Sequence, residues 1–178
     1  MFGPPGHAYV YFIYGNHWCF NAVCSPSGTA EAVLLRAIEP SFGVGWMQQR
    51  RPVAKARDLT NGPAKFCAAL AIDRELDHAD LCDDASPIQI AENPERAQLL
   101  KQRGPIITTT RVGLSQAADW PLRFYLEGSV FVSRRAVRVA ATERRLPRAV
   151  AATGALTKTA QWRCPDKNPA VCPPRLRT

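Results

Sequence analysis

The sequence predicts an α+β fold: a single domain with a largely antiparallel curved sheet or open barrel and interspersed helices. Two observations predict it. Residues 1 to 40 read as a meander of β-branched and aromatic runs broken by turn residues, and the chain after Gly43 mixes short helical patterns with further strand-like runs. A length of 178 residues with 46% hydrophobic content suits one domain with a core.

The elements follow in order. Gly3 to Gly6 is a turn, and Ala8 to Tyr14 is a run typical of a strand buried on both faces. Gly15-Asn16 suits a two-residue hairpin loop, so His17 to Val23 is the returning strand and Tyr14 falls at the hairpin tip. The turn at Ser25 to Gly28 leads to a third strand, Glu31 to Ile38, stopped by Pro40. A short helix is expected from Gly43 to Arg51, ended by Pro52. Asn61-Gly62-Pro63 supplies a cap and a first-turn proline for a helix from Ala64 to Ile72, with Phe66, Ala69 and Leu70 on one face and Lys65 at its start. After an acidic loop, Asp73 to Asp84, come a strand near Ile88 and a helix from Pro94 to Gln102 closed by Gly104. Ile106 to Val112, Leu122 to Leu126 and Val130 to Ser133 read as further strands. Beyond Arg134 the apolar periodicity fades, so residues 1–135 are expected to fold and residues 136–178 to form a basic, disordered tail.

Composition limits the functional classes. No apolar run approaches the roughly 18 residues of a membrane helix, and no Lys or Arg precedes Arg36, which is wrong for a signal peptide. A non-membrane, unexported chain is expected, cytoplasmic and nucleoid-associated in a bacterium or nuclear in a eukaryote. The six cysteines are then expected to be reduced and mostly buried, and their spacing offers no metal site. The net charge of +8 invites a nucleic-acid partner. Residues 1 to 133 carry 12 Lys+Arg against 13 Asp+Glu, whereas residues 134 to 178 carry 11 against 2. The excess therefore lies in the tail, which can add nonspecific phosphate attraction but is no basic face of a folded domain.

Several blocks occur in order: Met1-Phe-Gly-Pro-Pro-Gly-His-Ala-Tyr-Val-Tyr-Phe-Ile-Tyr-Gly15, Asn21, Val33-Leu-Leu-Arg-Ala-Ile-Glu-Pro40, Asn61-Gly-Pro-Ala-Lys65 with Ala69-Leu-Ala-Ile72, Arg111-Val-Gly113 and Leu122-Arg-Phe-Tyr125. Together they resemble the alkyladenine (3-methyladenine) DNA glycosylase family over roughly residues 1 to 135. The resemblance implies a monomeric, monofunctional hydrolase of base-excision repair, without metal or other cofactor, whose partner is double-stranded DNA containing alkylated bases. Such an enzyme extrudes the damaged nucleotide, fills the gap with a side-chain wedge, and holds the base between aromatic faces while water cleaves the N-glycosylic bond. Electron-deficient alkylated bases suit an aromatic pocket because their positive charge is attracted to π faces.

Residue by residue, the resemblance makes Tyr11 the stacking ring and Tyr14 the wedge in the minor groove. Strand alternation puts Tyr9, Tyr11 and Ile13 on one face and leaves Tyr14 to the turn; core and edge roles for these tyrosines remain open on pattern alone. Asn21 matches a pocket amide that helps refuse guanine's exocyclic amino group, although a strand Asn bonding to backbone has the same pattern. Arg36 matches a residue that positions the attacking water, as a buried guanidinium in an apolar strand, with a solvent-facing edge Arg as the alternative. Val112 corresponds to a position whose backbone carbonyl helps hold that water. Asn61, Gly62 and Lys65 would bring helix N-terminal amides and an ammonium to a DNA phosphate, unless they only cap a helix.

The family carries its general-base glutamate, a second stacking tyrosine and a pocket histidine upstream of the Met-Phe-x-x-Pro-Gly block, which here opens the chain. None of Glu31, Glu39 or Glu75 matches the catalytic position, and neither His7 nor His17 matches the pocket histidine. The expectation is an N-terminally incomplete member whose general base is absent, with Met1 either internal to a longer frame or the start of a decayed copy. The meander is then expected to have an unpaired edge. Two alternatives follow: a non-catalytic module that binds damaged DNA, and a nonfunctional fragment.

Overall fold

The computed structural model describes residues 1–135 and the backbone of residues 158–162; the remainder of the expected tail, 136–157 and 163–178, lies outside the described residues. β1 (Ala8–Ile13) and β2 (His17–Val23) form an antiparallel hairpin in the register Ala8↔Ala22 through Ile13↔His17. The loop between them has three residues rather than the expected two. Tyr14 and Gly15 both adopt positive φ, 54° and 72°, and Asn16 N donates to Ile13 O at 3.3 Å. Two successive left-handed residues match the right-handed twist of a hairpin, and β1 ends one residue earlier than predicted, so a tyrosine takes the first of these positions.

β3 (Ala32–Leu34) pairs with β2 through Asn21↔Leu34, Ala22↔Val33 and Val23↔Ala32, completing the order β1-β2-β3. It is much shorter than the predicted Glu31 to Ile38 because the backbone changes partner. Leu35 N still donates to Phe20 O, but Ile38 N donates to Thr60 O, and Thr60 Oγ1 returns a bond of 2.7 Å to Ile38 O. The other side of the sheet corrects a second expectation. The start of β1 is paired: Ala8 N donates to Ala79 O, Leu81 N to Gly6 O, and the Asp77 carboxylate accepts from Val10 N at 2.9 Å. The acidic loop thus binds the first part of the strand edge that the sequence left bare, as far as Val10.

α1 (Val44–Arg50) and α2 (Pro63–Ala69) follow the Gly and Pro signals. α2 stops before the predicted Ile72. Ala71 takes a positive φ of 53°, its N–H reaches Ala68 O, and Ile72 N reaches Cys67 O, the paired bonds of a Schellman ending with alanine in the position glycine usually fills. α2 packs against β2 through Phe66, whose ring meets Phe20 edge-on with centroids 6.4 Å apart. Around this pair Leu59, Cys67, Ala69, Ile72, Leu81 and Ile88 are buried, so the core lies between the Ala8, Val10 and Phe20 face of the hairpin and α2. β4 (Ile88–Glu92) pairs with β7 (Lys158–Trp162), which falls inside the stretch read as tail.

Among the described residues, 92–135 belong to a second compact unit. In it α3 (Arg96–Arg103) ends at Gly104, and β5 (Ile106–Thr109) pairs antiparallel with β6 (Arg123–Leu126). Gly128 N donates to Arg103 O at 2.6 Å, and a Cβ at Gly128 would lie 2.7 Å from that oxygen, so only glycine fits there. β5 stops short of the predicted Val112 because Thr109 pairs with the first residue of β6; Val130 to Ser133 forms no strand. The fold is α+β with antiparallel pairing, spread over three small sheets and without a closed barrel among the described residues.

Candidate nucleic-acid interface

Alternation along β1 sends Ala8 and Val10 to the core and Tyr9, Tyr11 and Ile13 to the opposite, half-buried face. Tyr9 and Tyr11 stack there, centroids 5.3 Å apart and planes 27° from parallel. Directly across from Tyr11 is buried Cys19, and across from Tyr9 is buried Asn21. At the end of the hairpin Tyr14 is 86% exposed. A large ring left in water at the tip of a tight turn contributes little burial to stability. Sequence reasoning missed the pair on the reverse face, where Phe12, half exposed, meets Trp18 at 4.7 Å across the strands. Their opposed positions in the two strand runs were the available signal.

Burial pushes the Tyr11 phenol up to about 12, reinforced by the Cys19 thiol, which also hydrogen-bonds it, and by the Tyr9 and Tyr14 phenols. The structure therefore brings Tyr11 and Tyr14 within electrostatic reach of each other. The folded chain holds this proton to higher pH than the unfolded chain, which releases it near 10. Stability should consequently fall as the pH climbs from about 10 towards 12. In an ultraviolet titration of the folded protein one phenolate should form late, and Tyr11→Phe should abolish that late step.

Asn21 is fixed by its own strand pair: its Nδ2 donates to Tyr9 O at 3.0 Å. The backbone-bonding alternative is thus realised, and the same bond holds the amide beside Tyr9 on the Tyr11 face. Arg36 departs from expectation. It is exposed and lies beyond β3, on the stretch between the Leu35 and Ile38 anchors, not buried in an apolar strand. Val112 belongs to the second unit, half-buried in an irregular segment where Arg111 Nη2 donates to Gln116 O at 2.8 Å.

Asn61 does not cap α2. The residue in the cap position is Gly62, extended at φ −168°, with no side-chain cap bond. Asn61 instead donates from Nδ2 to Asp58 Oδ1 at 2.9 Å and accepts from Lys65 Nζ at 2.7 Å. Asp58 was not foreseen, although its spacing of three from Asn61 was visible.

Among the described residues Cys19 and Cys67 are buried free thiols and Cys24 and Cys82 exposed ones; Cys164 and Cys172 lie outside the described residues. Burial pushes the Cys67 thiol up to about 12, with Cys19 adding to the shift and the Phe20 backbone opposing it. Iodoacetamide at neutral pH followed by peptide mapping should modify Cys24 and Cys82 in the folded chain and reach Cys19 and Cys67 only in denaturant.

The sequence profile of the methylpurine-DNA glycosylase family matches residues 1–130, most of the chain. The chain belongs to that family. Relatives named as 3-methyladenine DNA glycosylases include one from Methanoculleus marisnigri, 48% identical over 135 residues that make up 76% of this chain and 68% of the relative. One from Agrobacterium fabrum is 48% identical, with 76% and 64% covered, and one from Rhizobium meliloti is 46% identical, with 76% and 66% covered. The chain thus spans about two thirds of the length of these relatives. The stretch matched to the methylpurine-DNA glycosylase family contains Tyr11, Tyr14, Asn21, Arg36, Asn61, Gly62, Lys65 and Val112. Among the described residues no helix of this family member is long and apolar enough to cross a membrane.

Proposed function

We propose that this chain acts as a monomer in base-excision repair, holding duplex DNA open at an alkylated purine of the 3-methyladenine type so that the N-glycosylic bond can be hydrolysed. The observation that carries this reading is Tyr14, almost fully exposed at a turn that holds it in a left-handed conformation next to the Tyr11 face. Tyr14 enters the minor groove and takes the place of the extruded nucleotide, Tyr11 stacks on the flipped base, and Asn21 disfavours guanine through its amide. Arg36 orients water, and Asn61, Gly62 and Lys65 meet a phosphate. An exposed Arg36 suits this role, because a guanidinium still in water can change its partners when DNA arrives.

One observation favours the second reading, binding without cleavage. The carboxylates with defined partners do structural work. Asp77 bonds the edge of β1, Glu31 accepts from Ser25, Asp58 holds Asn61, and Asp73, Asp80 and Asp83 accept from amides two residues on. None of these is offered as the base that activates water.

The test places a fluorescent base analogue beside a lesion in duplex DNA and adds the full chain. Unstacking should raise the fluorescence at the lesion and leave an undamaged duplex unchanged. Unchanged fluorescence at saturating binding would sink both readings. Release of free base, followed by chromatography, then separates cleavage from binding.

A further inference from the structure

We infer that Asp58 is a positioning residue for DNA binding, acting through Asn61 to aim the Lys65 ammonium. The inference rests on the proposed meeting of Lys65 with a phosphate and adds a residue to that site.

The chemistry of the three groups fixes their order. A carboxylate only accepts hydrogen bonds and an ammonium only donates them, whereas an amide has one end of each kind. With Asp58 Oδ1 at 2.9 Å from Asn61 Nδ2, and Lys65 Nζ at 2.7 Å from Asn61 Oδ1, the amide can point only one way. Without Asp58 only the ammonium itself keeps the oxygen end turned towards Lys65, and the Asn61 side chain, no longer anchored at its NH₂ end, holds Lys65 less firmly in place.

Asp58 is itself rigidly placed. Its N–H donates to Lys55 O, and its carbonyl accepts from Arg51 Nη2. The next two residues, Leu59 and Thr60, are fully buried, with Leu59 O bonded by Arg51 Nε and Thr60 Oγ1 bonded to Ile38 O. At the other end the Lys65 stem lies against Gly62, where a Cβ would meet its Cδ and Cγ at 3.5 and 3.6 Å. A lysine is ordinarily ordered only when it binds, at an entropic cost; here that cost is met beforehand, which favours association. Simple electrostatics predicts the opposite role for Asp58, since its negative charge repels phosphate.

The opposed signs make the test decisive. Dissociation constants of the full chain for an undamaged duplex oligonucleotide are measured at fixed salt for wild type, Asp58→Ala, Asp58→Asn, Lys65→Ala and the Asp58→Ala/Lys65→Ala double variant. Asp58→Ala should weaken binding by about three- to tenfold, the worth of one hydrogen bond, and should have no effect once Lys65 is gone. Asp58→Asn keeps an acceptor oxygen and should bind as wild type or tighter. An equal loss from Asp58→Ala with and without Lys65 would show a merely structural role and overturn the inference. Tighter binding by both Asp58 variants would reduce the carboxylate to a repulsive charge and overturn it too. If Lys65→Ala binds as wild type, the phosphate contact itself fails, and the inference falls with it for that separate reason.

Discussion

Phe20→Ala should destabilise the first unit by about 3–5 kcal/mol, the cost of emptying a large aromatic site in a packed core. Phe20 is fully buried, opposes Val10 across the hairpin, and meets Phe66 of α2 edge-on. Truncation removes transfer energy and leaves a cavity between a sheet and a helix that are both tied down by backbone bonds, so neither can collapse fully into it. Against a typical total of about 5–15 kcal/mol, a loss of this size leaves a large unfolded fraction. Urea unfolding followed by far-ultraviolet circular dichroism gives the value. Phe12→Ala, eight residues earlier and half exposed, is the reference and should cost far less. Comparable losses at the two positions would mean that the core is not centred on Phe20.

The second large effect is expected at the hairpin tip. Tyr14→Ala leaves the fold intact, since the ring buries almost nothing, but removes the side chain proposed to fill the gap in the duplex. Unstacking a base, at a few kcal/mol, is then no longer offset by insertion. Damage-dependent unstacking should drop sharply on duplex DNA and much less on a single strand, which has no stack to break. Tyr11→Ala should cost about 1–3 kcal/mol on both substrates, because it removes a stacking surface for the base and not the wedge. Equal losses from both substitutions on both substrates would show that the tyrosines are simply structural. Thermal melts of each variant establish that the fold is retained.

The hairpin was legible because its signals are local: period-two alternation, aromatic and β-branched residues, and a glycine near the turn all lie within residues 8 to 23. The helix starts at Val44 and Pro63 were legible for the same reason. What was not legible depended on distant partners. The length of β3 is set by where Thr60 captures Ile38, a contact across twenty-two positions. The edge of β1 is met at Val10 by Asp77, sixty-seven positions away, so a hydrophobic run could not announce where its outer side found partners. Asn61 illustrates the limit within a short stretch. Asn before Gly-Pro is a good cap by type, yet a carboxylate on one side and an ammonium on the other outcompeted the helix amides for its side chain. Arg36 was read as buried from the apolar residues around it in sequence, although alternation no longer applies once the strand has ended.

The turn at the hairpin tip carries a tension between robustness and use. A left-handed tyrosine is strained relative to glycine or asparagine in the same place, by about 1–2 kcal/mol, and its ring returns nothing to the folded state in the absence of DNA. Any change that relaxes the backbone at position 14 should therefore harden the molecule and, on the proposed wedge role of Tyr14, disarm it together. Engineering for heat resistance alone would discard this tyrosine early, and if Tyr14 is the wedge proposed above, a more durable variant obtained that way is a poorer reader of damage.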